Sequence, residues 1–159
     1  MAEKKVVAVG ERVRDFSLPA HDKKDVRLST LRGKKVLLSW HPLSWTGICT
    51  EQMKSLEKHR RDFAKLGVVA LGLSVDPVPA KTAWAASMKL KETRLLSDFW
   101  PHGKVARSLG IFRKAEGISQ RANIILDETG KVIFVKVYPI GKLPDIEEIL
   151  TFLKAQKPR

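Results

Sequence analysis

The single cysteine of the chain, Cys49, lies in the stretch HPLSWTGICT, between His41 and Thr50. A cysteine acts as a nucleophile in its thiolate form, so a lone cysteine among polar and aromatic neighbours is a candidate reactive group. Three residues earlier, where a CxxC redox motif would have its second thiol, the chain has Thr46. One cysteine cannot form a disulfide within the chain, and this excludes disulfide exchange of the CxxC type.

The elements on either side of Cys49 are a strand and a helix. Lys35–Trp40 (KVLLSW) is a short apolar run that ends before Pro42, which is typical of a buried strand. Thr50–Leu66 has apolar residues on one helical face and is followed by a glycine. We therefore expect Cys49 at a loop-to-helix junction, where unpaired N–H groups and the positive end of the helix dipole stabilise an anion. A small buried apolar residue is the alternative interpretation of a free cysteine.

Two neighbours of the cysteine indicate a substrate pocket. The Thr46 hydroxyl can donate and accept hydrogen bonds, and Pro42 offers a rigid apolar surface without an N–H group. Together they would suit a small uncharged substrate that carries polar atoms, held beside a thiolate partly sheltered from water. Each residue also has a purely structural interpretation, since Pro42 could end the strand and Thr46 could cap the helix.

The rest of the chain alternates strands and helices without a linker, an internal repeat or a low-complexity segment. This order predicts one α/β domain over residues 1–159, with a central mixed sheet covered by helices on both faces. Two short N-terminal strands flank the turn HDKKD, and the tripeptide ETG joins two late strands into a hairpin. Besides the strand and helix already named, the predicted strands are Arg14–Leu18, Asp25–Leu28, Gly67–Val75, Thr93–Leu96, Ala122–Asp127 and Lys131–Tyr138, and the predicted helices are Pro79–Leu90, His102–Leu109 and Pro144–Lys154.

The spacing P-x-x-x-T-x-x-C, which reads PLSWTGIC from Pro42 to Cys49, resembles the active-site signature of the peroxiredoxins. The resemblance extends over most of the chain, through GERVRDFSLP and VRLSTLRGKKVLLSWHP before the cysteine and VVALGLSVD, LLSDFWPHGKVARSLGI and QRANIILDETGKVIF after it. The last of these contains Arg121 at the start of a strand, where the family has its active-site arginine. The resemblance implies a thioredoxin-like fold with an N-terminal hairpin extension, and a thiol peroxidase that needs no cofactor.

The same resemblance implies a role for each residue of the motif. Cys49 would attack a substrate hydroperoxide, either hydrogen peroxide or a small organic hydroperoxide, and become a sulfenic acid. Thr46 would hydrogen-bond the peroxide, and Pro42 would shield the sulfur from water. Arg121 would favour the thiolate and stabilise charge on the leaving oxygen. The backbone N–H groups of Ile48 and Cys49 would complete the substrate-binding site.

The chain departs from the family pattern at two positions of the helix that follows the cysteine. Lys54 stands where many members have a resolving cysteine, so the oxidised sulfur must be reduced by an external thiol, either a small molecule or a thioredoxin- or glutaredoxin-like protein. Gln52 stands where relatives often have a glutamate, and its amide can bond the arginine but carries no charge. His41 lies beside the pocket and is interpreted as a packing residue. The other histidines lack metal-ligand spacing, so no metal site is expected.

The charge of the chain leaves other functions open. With 30 Lys+Arg against 17 Asp+Glu, the formal net charge is +13. The basic residues are scattered and no nucleic-acid-binding motif is present, so we expect a solvated basic surface and no specific nucleic-acid site. A thioredoxin-fold chaperone or polyanion binder is one alternative function. A redox relay, in which oxidised Cys49 signals to a partner protein, is the other.

Hydropathy and the family resemblance give the expected location and assembly. No apolar run approaches the ~18 residues of a membrane span, and the N-terminal residues lack the pattern of a signal peptide. A cytoplasmic protein without a membrane partner is therefore expected. The resemblance also implies a homodimer, for which an edge of the sheet is the expected interface.

Overall fold

The computed structural model describes residues 4–156, and a five-stranded mixed sheet with the order β5-β4-β3-β8-β9 forms its centre. The strands are β1 (Ser17–Pro19), β2 (Asp25–Arg27), β3 (Lys35–Trp40), β4 (Val68–Ser74), β5 (Arg94–Ser97), β6 (Phe112–Arg113), β7 (Ile118–Ser119), β8 (Arg121–Leu126) and β9 (Val132–Tyr138). The helices are α1 (Gly47–Lys58), α2 (Arg60–Lys65), α3 (Val78–Met88), α4 (Lys104–Ser108) and α5 (Ile146–Lys154). Among the described residues, no helix is both long and apolar enough to cross a bilayer.

The central strand, β3, is buried along its whole length. It pairs in parallel with β4 and antiparallel with β8, and β4 pairs in parallel with β5. Because parallel strands end at the same edge of a sheet, the loop after β3 lies beside the loops after β4 and β5. Successive residues of β3 face opposite sides of the sheet, so Leu37 packs in one apolar cluster and Val36 and Leu38 in another.

Helices cover the two faces of the sheet unevenly. Apolar side chains of α1, α2, α3 and α5 pack in the cluster that contains Leu37, and those of α4 pack in the cluster that contains Leu38. The antiparallel hairpin β1–β2 contributes Leu18 and Val26 to the second cluster. The predicted architecture, a mixed sheet with helices on both faces and an N-terminal hairpin, is therefore confirmed.

The helix predicted at Thr50–Leu66 is wrong in two respects. It begins three residues earlier, at Gly47, and it is broken into α1 and α2 at His59, whose backbone has φ −100° and ψ 17°. The His59 ring Nδ1 lies 3.0 Å from the Ser55 carbonyl oxygen. This side-chain hydrogen bond competes with the backbone for the same acceptor and favours an interruption of the helix at that point.

Two details of the predicted strands are also wrong. The first strand covers Ser17–Pro19, not Arg14–Leu18. A small antiparallel hairpin, β6–β7, was not predicted. Strands of two residues show no alternation of apolar and polar side chains, so the sequence pattern carries no signal for them.

α1 lies close to the sheet because β4 has a glycine at the contact. A Cβ atom at Gly72 would clash with the Met53 sulfur and lie 2.8 Å from Leu95 Cδ2. Without a side chain there, Met53 reaches the sheet surface and is fully buried. Met53 lies one turn after Cys49 on α1, so this contact fixes the helix that carries the cysteine.

Glu57, near the end of α1, holds the segment before β5 in place. Its carboxylate accepts hydrogen bonds of 2.6 to 3.2 Å from the backbone N–H groups of Lys91, Glu92 and Thr93, and one of 2.9 Å from the Thr93 hydroxyl. Burial alone would raise the pKa of Glu57, but these hydrogen bonds outweigh it and lower the pKa. The ionised carboxylate therefore stabilises the folded state.

We expect Glu57→Ala to lower the free energy of unfolding by about 3 kcal/mol at pH 7, because three backbone donors lose their acceptor. The stabilisation is present above pH 4.5, the ordinary value for the carboxyl group, and is lost as the pH falls through the lowered pKa of the folded state. Urea unfolding at pH 7 should show a large difference in the free energy of unfolding between Glu57→Ala and the unsubstituted protein. At pH 3.5 this difference should be smaller. Glu51→Ala, at an exposed position of the same helix, is the control. Equal losses in the two variants would contradict this role.

Candidate active site

The loop between β3 and α1 sets the position of the cysteine. Trp45 has a positive φ of 74°, a left-handed conformation that turns the chain into the helix. α1 begins at Gly47, so Cys49 is its third residue. The Thr50 N–H donates to the Thr46 carbonyl at 2.9 Å, and the N–H groups that precede it have no acceptor within the helix. Cys49 therefore lies in the first turn, at the positive end of the helix dipole.

Thr46 precedes the helix, but its side chain does not cap it. Its hydroxyl instead donates to the Leu43 carbonyl across the loop, at 2.9 Å. A hydroxyl that donates its one hydrogen keeps two lone pairs, so Thr46 Oγ1 can still accept a hydrogen bond from a ligand. Because the residue is exposed, such a ligand can reach it from solvent.

Cys49 and Arg121, 72 residues apart in the chain, meet inside the protein. Arg121 is the first residue of β8, and the next residue, Ala122, lies opposite Trp40 at the end of β3. This register brings the guanidinium to the edge of the sheet at which α1 begins. Arg121 Nη1 donates to Cys49 Sγ at 3.3 Å.

Three further hydrogen bonds fix the guanidinium in this position, and a fourth fixes the Gln52 side chain that accepts one of them. Arg121 Nη1 donates to Gln52 Oε1 at 2.8 Å, while Nε and Nη2 donate to the Ile140 carbonyl at 3.0 and 2.8 Å. Gln52 Nε2 donates in turn to Ser39 Oγ at 2.8 Å. Every one of these acceptors is neutral, and no carboxylate forms an ion pair with Arg121 among residues 4–156. A buried cation without a counterion is costly, and Cys49 is the residue beside this guanidinium whose side chain can become an anion.

The sulfur is more deeply buried than the sequence predicted. Cys49 is 0% exposed and packs in the apolar cluster with Met53 and Leu37, whereas a partly sheltered thiolate was expected. Pro42 is buried and Ile48 half-buried. The sulfur atom is therefore closed to solvent in this conformation. The alternative of a buried small apolar residue accounts for this burial but not for the guanidinium beside it.

Comparison with known proteins places the chain in a family. A model of the AhpC/TSA family matches residues 9–135, which include the cysteine motif and Arg121. The chain belongs to this family, the peroxiredoxins. Membership confirms the predicted class of activity, a thiol-dependent peroxidase, and the single cysteine makes the chain a one-cysteine member.

Individual relatives agree with this assignment. Alkyl hydroperoxide reductase E of Mycobacterium tuberculosis is 36% identical over 138 residues, which cover 86% of this chain and 90% of that protein. A peroxiredoxin of Thermoplasma volcanium is 32% identical over 154 residues, covering 94% and 74% of the two chains.

Solved structures give the same result for the fold. The reduced 2-Cys peroxiredoxin of Plasmodium vivax has a TM-score of 0.83 at 27% identity, over 92% of this chain and 80% of that chain. Peroxidoxin BcpB of Mycobacterium tuberculosis has a TM-score of 0.82 at 27% identity, over 94% and 97%. These matches confirm the predicted thioredoxin-like fold.

A buried lysine lies next to the peroxiredoxin motif. Lys81 of α3 is 0% exposed, and its Nζ lies 3.1 Å from Nε2 of His41, the residue before Pro42. Burial lowers the pKa of Lys81 to about 7, while the charges of Asp76 and Cys49 oppose this shift. Burial also holds the pKa of His41 well below 6.5, and the positive charges of Lys81 and Arg121 lower it further.

The sequence reading missed Lys81. A lysine in an amphipathic helix is normally assigned to the solvated face. One signal pointed the other way, since Lys81 lies three residues before the buried Trp84 and therefore on the same helical face. His41 was expected to pack, and its ring does lie 5.2 Å from the Trp84 ring, but it is also the partner of the lysine.

Proposed function

We propose that this peroxiredoxin reduces hydrogen peroxide or small organic hydroperoxides at Cys49. The observation that supports the proposal most strongly is the buried Arg121 guanidinium, 3.3 Å from the sulfur and without a carboxylate partner among the described residues. A lone pair of the thiolate forms the S–O bond as the O–O bond breaks. The leaving oxygen departs with the electron pair and takes a proton from solvent, which leaves Cys49 as a sulfenic acid.

The neighbouring residues orient the peroxide in this proposal. Thr46 Oγ1 accepts the hydrogen bond of the hydroperoxide O–H, and the N–H groups of Ile48 and Cys49 donate to the peroxide oxygens. Arg121 stabilises the negative charge that moves from sulfur to the leaving oxygen. Pro42, buried in the loop after β3, keeps water from the sulfur.

An external thiol completes the cycle. The thiol attacks the sulfenic acid, releases water and forms a mixed disulfide, and a second thiol then releases Cys49 in its reduced form. The reductant is a small thiol or a thioredoxin- or glutaredoxin-like protein, because Lys54 occupies the helix position of a resolving cysteine and the chain has no second one. A cytoplasmic location belongs to the same proposal, since thiol reductants are maintained in reducing compartments.

The decisive experiment is single-turnover oxidation. Reduced protein mixed with one equivalent of hydrogen peroxide should show a rapid change in tryptophan fluorescence and gain the mass of one oxygen atom. The product should react with dimedone, a reagent selective for sulfenic acids, with Cys49 as the modified residue. A protein whose Cys49 remains unmodified while peroxide persists would contradict the proposed function.

A homodimer is the proposed assembly, and exposed apolar side chains support it. Leu43 and Trp45 in the loop after β3 are exposed, as are Phe99 and Trp100 in the loop after β5. Since β3 and β5 belong to the same parallel set, both loops lie at one edge of the sheet. Light scattering should give twice the chain mass of 17.9 kDa, and Trp100→Ser should weaken the assembly. A monomer at working concentration would overturn this assignment.

A further inference from the structure

Lys81 is a buried charge for which the proposed peroxide chemistry has no role. Its ammonium makes one hydrogen bond among the described residues, to His41 Nε2 at 3.1 Å, although an ammonium has three donors. Removing a lysine from water without a matched partner costs several kcal/mol, so buried lysines are rare unless paired. The charged and titratable groups around Lys81 therefore indicate its role.

The charged and titratable groups that face Lys81 come from several elements. His41 lies in the loop after β3, Asp76 in the loop after β4, and Cys49 in the first turn of α1. His21, in the turn between β1 and β2, also senses the lysine charge. Asp76 is already engaged by the Ser44 N–H at 2.8 Å and by the Ser74 hydroxyl.

Contacts of α3 tie the lysine to the cysteine turn. Trp84, one turn after Lys81, packs its ring against His41 and donates from Nε1 to Thr50 Oγ1 at 3.3 Å. Thr50 is the residue after Cys49. The same helical face therefore contacts both the residue before Pro42 and the residue after the cysteine. Lys81 lies on this face, so a change in its charge affects the side chains on both sides of Cys49.

We propose that Lys81 is a positioning residue of the peroxidase site, a second buried cation that, through His41 and alongside Arg121, favours the thiolate form of Cys49. The inference rests on the proposed function, because its consequence appears in the rate of oxidation. A protonated Lys81 can only donate, so in that state His41 Nε2 accepts the hydrogen bond and the proton of the neutral ring lies on Nδ1. Interactions between sites are reciprocal: the sulfur anion favours the protonated lysine, and the protonated lysine favours the sulfur anion.

The test replaces Lys81 with methionine, which has a similar length and no charge. Stopped-flow tryptophan fluorescence should follow the oxidation of Cys49 by hydrogen peroxide from pH 5 to pH 9. In Lys81→Met we expect the rate constant for oxidation to fall about tenfold at pH 5.5–6. The acid limb of the plot of rate against pH should move about one pH unit higher. At pH 9 the rates should agree within about twofold, because Lys81, whose pKa burial lowers to about 7, is then neutral in the unsubstituted protein as well.

The pH profile separates this role from a structural one. A substitution that only disturbs packing would lower the rate by the same factor at every pH, and this result would overturn the inference. Lys54→Met, at an exposed position of α1, should leave the profile unchanged. If peroxide fails to oxidise Cys49 in the unsubstituted protein, the proposed function fails instead.

A second measurement keeps Lys81 in place. Nuclear magnetic resonance of the lysine 13Cε and 15Nζ atoms can follow the titration of Lys81 in the reduced protein and in Cys49→Ser. Removing the sulfur anion should move the lysine midpoint about one pH unit lower. Identical midpoints in the two proteins would show that the groups are uncoupled and would refute the inference even if Lys81→Met did not fold.

Discussion

Cys49→Ser is expected to abolish peroxide reduction, with a loss of about 10,000-fold or more in turnover. Serine has nearly the same shape as cysteine, but its hydroxyl does not ionise near neutral pH and forms no stable sulfenic acid equivalent. The guanidinium of Arg121 would then face a neutral oxygen, and no other cysteine in the chain can replace the nucleophile. Hydrogen peroxide consumption with excess dithiothreitol measures the loss directly.

The same variant separates cysteine oxidation from methionine oxidation. The chain has three methionines, and each gains one oxygen atom on conversion to its sulfoxide. A mass increase that persists in Cys49→Ser would come from methionine and should be slow. Circular dichroism and the thermal midpoint must show that the variant is folded. Peroxide turnover by a folded Cys49→Ser protein at the unsubstituted rate would exclude Cys49 as the nucleophile.

Substitution of Arg121 is expected to have the second-largest effect. Arg121→Ala removes the donor that lies 3.3 Å from the sulfur, and the rate constant for oxidation of Cys49 should fall about 100- to 1,000-fold. Arg121→Lys keeps the charge but cannot reach the sulfur, Gln52 and the Ile140 carbonyl at once, so we expect it to recover roughly tenfold of that loss. Stopped-flow fluorescence with each variant measures both rates.

Arg121→Ala should also destabilise the fold, since Gln52 Oε1 and the Ile140 carbonyl lose their donor. We expect a decrease of about 2–4 kcal/mol in the free energy of unfolding. Arg113→Ala, which removes a surface ion pair with Glu116, is the matched control. It should change the oxidation rate and the free energy of unfolding only slightly. A normal oxidation rate in folded Arg121→Ala would contradict the proposed role of the guanidinium.

The sequence predicted the site better than it predicted the surroundings of the site. Lys35–Trp40 was correctly bounded because a continuous apolar run between a glycine and a proline has few other interpretations. The meeting of Cys49 with Arg121 came from the family resemblance, because no local pattern links residues 72 positions apart. The break at His59 depends on a side-chain hydrogen bond, which propensity and period do not report.

The burial of Lys81 and the complete burial of Cys49 were not predicted, and the reason is the same for both. Burial is a property of the assembled elements, and a helical pattern reports only which residues share a face. Lys81 lies on the apolar face of α3 with Trp84, but the sequence analysis did not single it out. Cys49 is buried because side chains of several helices and of the sheet meet around it, and strand and helix predictions alone do not give that arrangement.

The uncapped start of α1 has a consequence for the return half of the catalytic cycle. A helix end that no side chain holds frays at a low free-energy cost, while Met53, seated over Gly72, anchors the following turn. In the proposed cycle, unwinding limited to that initial turn would expose an oxidised sulfur to the external thiol, while the rest of α1 kept its contacts with the sheet.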